Sequence, residues 1–473
     1  MSASPRAGPL PRSVHIGYAL GSVTLGAFGT VPGLLLLPYL TDSLGVAAGL
    51  AGLVVLIPKL IDVLLSPVAG RISDRTVTRI GPRRPFVLGG GFASGIAFML
   101  IFAGVFRTSP AAPAWVFVMF LFSGTAYLFY TVAYLAMPAE MTDDDRDRSK
   151  LLSLRVVVDA VAILICGAVA PLIAYGHADP IVGFRLMGIA IGSLFFVGAV
   201  IAFVGTAKAP IGRVEEKEPT ILAQLRVAVA NRPFMVLLAC FIVQGAGVAT
   251  LLASVSYFSG EIMRSQIAPT FLFVAFVGPA IVCMPLWRWV GERTDVKRGF
   301  VIVSLTFALG GFLITTAALL DAAHAFVYAA VAICGCGYAG QQVFTLAMLG
   351  NCIAVSTHRT GRAQGGVFSG MFGAATMLGS AVGPSIFGLF LEVSGYVSST
   401  AGQTVVQPGS AAIGIALGAG VAPAVLMLLG SLLVKWYRYE NAGVVEEERD
   451  EDVRRDGTTD GDEDEERDGA VLL

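Results

Sequence analysis

The chain has 473 residues, of which 55% are hydrophobic and only 14% charged, with a formal net charge of -1 and a mean hydropathy of +0.76. Soluble globular chains carry about a quarter charged residues, so this composition excludes an ordinary soluble enzyme, a nucleic-acid binder and a disordered protein. The near-zero net charge identifies no partner, because the charges are segregated along the chain and many sit in the C-terminal tail.

A helix needs about 20 apolar residues to cross the hydrocarbon of a bilayer. In chain order, such runs fall at about 15–41, 46–72, 84–106, 114–137, 151–175, 183–206, 233–258, 268–290, 299–320, 326–354, 366–393 and 410–436. They predict an all-α integral membrane protein with about twelve transmembrane helices. Barrel strands would be short and would alternate apolar with polar, so a β-barrel is excluded. The first run is too long for a signal-peptide core and no small-x-small cleavage site follows it, so it is expected to remain as a helix.

Lys and Arg fall in alternate connections. One side holds Arg6, Arg12, Arg71, Arg75, Arg79, Arg83, Arg84, Arg146, Arg148 and Lys150, then Lys208, Arg213, Lys217, Arg293, Lys297, Arg298, Arg359 and Arg362. The other holds only Arg107, Arg185 and Arg264. The positive-inside rule then places both termini in the cytoplasm, with the plasma membrane the expected location.

The predicted organisation is a cytoplasmic segment 1–14, a six-helix bundle 15–206, a cytoplasmic linker 207–232, a second six-helix bundle 233–436 and an acidic, disordered cytoplasmic tail 437–473. The linker carries Arg213, Glu215, Glu216, Lys217 and Glu218, and the tail is dense in Asp and Glu from Glu446 to Asp468. The second span ends with Pro67, Asp74, Arg75 and Thr76, and the eighth ends with Pro285, Glu292, Arg293 and Thr294 at the same offsets. Parallel repeats of six helices build two-bundle transporters.

Glycines crowd the third span (Gly89, Gly90, Gly91, Gly95) and the eleventh (Gly366, Gly370, Gly373), which suits close helix packing in lipid. The six cysteines, Cys166, Cys240, Cys283, Cys334, Cys336 and Cys352, all lie inside predicted spans. No disulfide framework and no metal site is read from them, since Cys334 and Cys336 have no His or second Cys pair nearby. The four histidines receive no role.

Charges at membrane depth are costly and mark pathways or helix-joining pairs. Lys59 and Asp62 stand at i,i+3, and Arg155 and Asp159 at i,i+4, spacings that put each pair on one helix face. Each pair has two readings: an internally neutralised structural link, or a carboxylate that takes up a proton or cation when its partner moves away. Gln244, Gln341 and Gln342, and the stripe Tyr127, Tyr130 and Tyr134, are candidates to line a central cavity. For the tyrosines, plain packing is the competing reading. There is no Walker loop, HExxH or nucleophile elbow, so the chain is not expected to be an enzyme and any transport is gradient-driven or facilitative.

The segment Gly70-Arg71-Ile72-Ser73-Asp74-Arg75 followed by Gly81-Pro82-Arg83-Arg84-Pro85-Phe86 resembles the loop between helices two and three of the major facilitator superfamily. More narrowly it is similar to the glycoside–pentoside–hexuronide:cation symporters, and its ending to the sucrose transporters. Tyr39-Leu40-Thr41-Asp42, Asp62 before Ser66-Pro67, and Pro138 to Asp144 with Arg146 and Arg148 agree. The resemblance implies the major facilitator fold, alternating access and a central site. It makes Asp62 the cation-site carboxylate with Lys59 one turn before it. It places Arg155 beside the sugar site, and Asp74, Arg75, Arg83 and Arg84 in a cytoplasmic gate network, with Glu292 and Arg293 as the repeat's counterparts. The chain also departs from the family pattern. Ser66 replaces the second cation carboxylate, Gly26 and Tyr130 replace two sugar-binding aspartates, and Met377 replaces a lysine of helix eleven. Asp159 is an additional acid. These departures favour a proton over sodium as the coupling ion.

The expected function is thus a secondary active transporter of a small organic solute, foremost a sugar or glycoside. Asp62, Lys59 and Asp159 would couple, and Arg155, Tyr130, Tyr134, Gln244, Gln341 and Gln342 would bind the solute. A proton-coupled exporter of an apolar or amphipathic metabolite or lipid, and a non-transporting sensor or scaffold, are the alternatives. No cofactor or nucleic acid is expected; the bilayer and the solute are the partners of a monomer.

Overall fold

The computed structural model describes residues 10–76, 78–106, 110–142, 144–209, 229, 231–360, 365–401, 403 and 405–437. Most of the linker 207–232, most of segment 1–14 and all but Tyr437 of the tail 437–473 lie outside the described residues.

The long apolar runs become helices α1 (Arg12–Pro38), α2 (Ala48–Arg75), α3 (Arg84–Ile101), α4 (Ala112–Met141), α5 (Asp145–Tyr175) and α6 (Pro180–Gly205). They continue as α7 (Arg232–Tyr257), α8 (Ala268–Gly291), α9 (Val296–Leu319), α10 (His324–Thr360) and α11 (Gly365–Val393). The last, α12, comprises Gly409–Ala416, a π turn Leu417–Val421 and Ala422–Leu433. Twelve helical segments among the described residues are long and apolar enough to cross a membrane. Helix is the only open-ended choice for such runs, because each backbone N–H and C=O in hydrocarbon must be satisfied within its own segment. Several helices start on a proline in the first turn, where no intrahelical N–H is lost: α3 at Pro85, α6 at Pro180 and α7 at Pro233.

The packing repeats with an offset of six helices. In the first half α1 packs on α5 and α6, α3 on α4 and α6, and α2 on α4. In the second half α7 packs on α11 and α12, α9 on α10 and α12, and α8 on α10. The helices that join the halves obey the same rule, α2 with α11 and α5 with α8, while α1 meets its own counterpart α7. Even the helix ends match: α1 and α7 each finish in a five-residue π turn, Tyr39–Ser43 and Phe258–Ile262, with an acid, Asp42 or Glu261, at the fourth place.

Aromatic rings fill the interior of the first half, where Phe98 sits 5.2 Å from Phe102 and 5.1 Å from Phe195 between ring centroids. At the basic end of the second half, Phe234 packs on Phe368 at 4.5 Å. Small residues set the closest helix approaches. A side chain at Gly335 of α10 would strike the carbonyl oxygen of Phe276 on α8.

Candidate functional site

Among the described residues, the two halves close on each other at one end. That end, the far end, lies away from the N-terminus and from the Arg-rich connections. The hydrogen bonds between described residues that cross the halves gather there and toward mid-height. Tyr396 Oη donates to Asp42 Oδ1 at 2.8 Å, and Thr41 Oγ1 lies 2.6 Å from Tyr257 Oη. Glu392 accepts from the Gly49 amide at 2.6 Å, Ser385 Oγ donates to the Gly52 carbonyl at 2.9 Å, and Thr270 Oγ1 donates to the Ala168 carbonyl at 2.8 Å. The segment 398–401 adds main-chain bonds to Thr41 and Ser43. Tyr396 stands beyond the end of its span; burial first, and then the neighbouring Asp42, push its phenol above the usual range, so it remains a donor.

Lys59 marks the deepest hydrogen bond across α2 and α11. The i,i+3 spacing predicts pairing with Asp62, but Lys59 Nζ instead donates to the Ser380 carbonyl of α11 at 3.3 Å. Asp62 accepts from Thr125 Oγ1 of α4 at 3.1 Å. No ion pair within 4.0 Å joins Lys59 to Asp62 among the described residues, although each still feels the other's charge. The reason is steric opportunity. Gly124 has no side chain, so the Asp62 carboxylate packs flush against α4; a methyl group there would collide with Asp62 Oδ2.

Arg155 and Asp159 on α5 share a face, as the spacing requires, without forming an ion pair within 4.0 Å. Arg155 Nε and Asp159 Oδ1 are buried atoms with no hydrogen-bond partner among the described residues. Their charges act on Tyr127 of α4, and that of Asp159 also acts on Tyr338 of α10 in the opposite half. Tyr127, Arg155, Asp159 and Tyr338 form a cluster coupled by charge across the two halves, with no hydrogen bond joining its members among the described residues. Gly26 makes it possible: a Cβ at that position would lie 2.9 Å from the Asp159 carbonyl oxygen, so the small residue lets α5 bring Asp159 against α1. Buried polar groups without partners are rare in folded proteins and call for an explanation.

Four sequence candidates do not join this cluster. Tyr130 and Tyr134 are fully buried and donate to the carbonyls of Gly21 and Tyr18 on α1. Their rings stack on each other at 5.6 Å. Gln244 is fully buried inside the second half. Its Nε2 donates to Ser304 Oγ at 2.9 Å, and its Oε1 accepts from Gln341 Nε2 at 3.0 Å. Polar amides in a lipid-embedded bundle pair with one another across helices; Gln341 Oε1 is left buried with no partner among the described residues. Gln342 is half-buried and makes no hydrogen bond to another described residue. Tyr338, Thr125 and Ser380 were missed as singletons: nothing in their local pattern distinguishes them, and only the fold brings them to Asp159, Asp62 and Lys59. Cys283 Sγ lies 2.9 Å from Cys336 Sγ, between α8 and α10.

At the basic end the expected gate residues act within each half. Arg83 Nε forms an ion pair with Glu140 at 2.7 Å, and its guanidinium also donates to Ser73 Oγ at 2.9 Å, tying the ends of α2, α3 and α4 together. Arg84 donates to the Thr206 carbonyl at the end of α6. Arg293 lies over the Trp289 ring of its own helix, 4.1 Å from the centroid. Arg75 and Glu292 are exposed, and the side chain of Asp74 lies outside the described residues. The inter-half network expected here is therefore not assembled among the described side chains. The physical reason is that the halves meet at the far end.

A family model described as MFS/sugar transport protein matches residues 17–441. An uncharacterized symporter, YnaJ, of Bacillus subtilis is 26% identical over 438 residues, covering 90% of this chain and 91% of its own. A putative glycoside/cation symporter, YagG, of Escherichia coli is 24% identical over 433 residues, covering 91% and 92%. Among solved structures, a bacterial homologue of the human lysosomal transporter Spinster, in an inward-facing and occupied conformation, superposes with a TM-score of 0.66 at 12% identity, over 91% of this chain and 98% of that one.

Proposed function

Because the chain belongs to the MFS/sugar transport protein family and is a membrane transporter rather than an enzyme, we propose that it moves a sugar or glycoside, coupled to protons, by alternating access. The observation that carries this reading is the pair of buried, unpartnered atoms on Arg155 and Asp159. Arg155 supplies donors, Asp159 supplies an acceptor, and each has a buried atom free to take one more partner. A polyhydroxylated ring needs both, since every hydroxyl is at once donor and acceptor. Tyr127, stacked on Phe28 at 4.0 Å between ring centroids, and Tyr338 contribute aromatic rings from the two halves. A solute touching both halves biases them toward closing around it, which is the differential contact that alternating access requires.

Asp62 is the coupling carboxylate in this proposal, held by Thr125, with Lys59 spanning to Ser380 as the sensor of whether α2 and α11 are together. The glycoside/cation symporter relative supports the solute class and the use of a cation. The single carboxylate at Asp62, with Ser66 near it, supports a proton over sodium. With the basic end in the cytoplasm of a cell bounded by the plasma membrane, the observed closure at the far end corresponds to an inward-facing state of a monomer. In the opposite state Arg75, Arg83 and Arg84, together with Asp74, would approach Glu292 and Arg293.

The test is thermal stability of the purified chain in nanodiscs against sugars, glycosides and lysolipids, at two pH values, with and without sodium. A ligand stabilises the state it binds. A glycoside-dependent rise, lost in Asp159→Asn, is expected. A rise produced only by amphipathic compounds, unchanged in Asp159→Asn, would overturn both the solute class and the site.

A further inference from the structure

We propose that the groove between the basic ends of α9 and α12 is a binding site for the headgroup of an anionic phospholipid in the adjoining leaflet. The groove has a volume of about 540 Å³ and is lined by Lys297, Arg298 and Ile302 of α9 with Leu432, Val434 and Lys435 at the end of α12. Its surface is apolar, and three of the residues that border it, Lys297, Arg298 and Lys435, are cationic. The α9 span begins at Val296 and the α12 span ends at Trp436, so the cations sit in the terminal turns, at headgroup depth, while Ile302 and Leu432 continue the groove into the hydrocarbon. Ile302 and Leu432 are exposed, and Trp436 beside them is 70% exposed, as an interfacial aromatic anchor is.

Among the described residues no carboxylate lies within 4.0 Å of Lys297, Arg298 or Lys435, including Glu292 and Asp295 on the adjoining turn. Lys297 Nζ lies 5.7 Å from the centroid of the Tyr437 ring. The first half shows the alternative. There the same pairing of helices, α3 with α6, is drawn together where Arg84 donates to the carbonyl of Thr206. In the second half the corresponding helix ends leave a groove, and Lys297, Arg298 and Lys435 are among the residues that border it. Basic pockets between helix ends on this side of a membrane recognise anionic headgroups, and the phosphodiester supplies the acceptors that Lys and Arg need.

The experiment uses the full chain in nanodiscs of phosphatidylcholine with a minority of phosphatidylglycerol, measuring the lipid retained on the protein by native mass spectrometry. Wild type is expected to retain phosphatidylglycerol, and the Lys297→Gln/Arg298→Gln/Lys435→Gln variant to retain about tenfold less or lower still. A control variant, Arg71→Gln/Arg75→Gln/Arg79→Gln, is expected to match wild type. A groove variant that melts like wild type in pure phosphatidylcholine, yet loses the stabilisation phosphatidylglycerol gives, shows the loss is not misfolding. Equal retention by wild type and groove variant would overturn the proposal. So would inorganic phosphate stabilising wild type in phosphatidylcholine as well as the lipid does. A third refuting result is retention that appears only after the tail acids between Glu446 and Asp468 are neutralised, since the tail would then be the occupant.

Discussion

Replacing Tyr396 by Phe removes one hydroxyl from the far-end closure and nothing else. The ring keeps its edge-on contact with Tyr257, 5.5 Å between centroids at 79°. The bond lost runs from Tyr396 Oη to Asp42 Oδ1, 2.8 Å long and joining opposite halves. A side-chain hydrogen bond contributes about 0.5–1.5 kcal/mol net, and one to a charged group about 1.5–3. Tyr396 is half-buried, so about 1.5 kcal/mol is a fair figure. When the far end opens, that bond is broken in wild type as well, so the loss falls on the closed state alone. The ratio of closed to open therefore drops about tenfold. Spin labels at Val105 and Val406, exposed positions of opposite halves at the far end, report the change as a longer distance population. A distance distribution identical to wild type would refute the latch.

Asp62→Asn is expected to abolish proton-driven accumulation in proteoliposomes while solute counterflow continues; coupled uptake at the wild-type level would remove Asp62 from the mechanism. Gly124→Ala and Gly335→Ala should separate two kinds of crowding. The first meets only the tip of the Asp62 side chain and should spare the fold while displacing the carboxylate from Thr125. The second meets a backbone carbonyl on α8 and should lower thermal stability by about 1–3 kcal/mol. Equal losses of stability would contradict that distinction. Gln244→Leu leaves Gln341 and Ser304 short of a partner inside the second half, for a loss of about 1–3 kcal/mol with solute affinity unchanged. Reduced affinity at full stability would return Gln244 to the cleft.

The twelve spans were legible because bilayer thickness imposes one length on every apolar run, and no tertiary contact competes with that constraint. The six-plus-six repeat showed through Pro67 and Pro285 because proline, acid and arginine sit where loops meet membrane, away from variable packing. The side-chain partners were much less legible. Spacing along one helix tells which residues share a face, but not what the neighbouring helix presents to that face. Lys59 and Asp62 do share a face, yet α11 offers a carbonyl and α4 a threonine beside a glycine, and these win. Gln244, Gln341, Tyr130 and Tyr134 read as cavity residues because they are polar at membrane depth. The bundle's own groups pair with Gln244, Tyr130, Tyr134 and the Nε2 of Gln341, as the cost of an unpaired polar group in hydrocarbon demands, while Gln341 Oε1 has no partner among the described residues. Asp159 was visible as an unexpected acid; its relation to Gly26 needed the α1–α5 contact.

The two quasi-equivalent seams between the halves are closed by different chemistry, and this sets the order in which they open. The α2–α11 seam is held by Lys59, the Gly49 amide and the Gly52 carbonyl, each bonded to a group that water can replace. The α5–α8 seam has one such bond, Thr270 to the Ala168 carbonyl, and otherwise the Phe273 ring packed against Gly167. Water entering from the far end compensates hydrogen bonds nearly one for one, but exposing a phenylalanine ring costs about 25 cal/mol for every Å². The polar seam therefore separates first, and the aromatic seam acts as the pivot. Hydrogen exchange reads this directly, since local opening frees the amides of the segment that opens. The far-end turns of α2 and α11 are expected to exchange faster than those of α5 and α8. The reverse order would show that the halves part at Phe273 and that Lys59, rather than the ring, is what holds them.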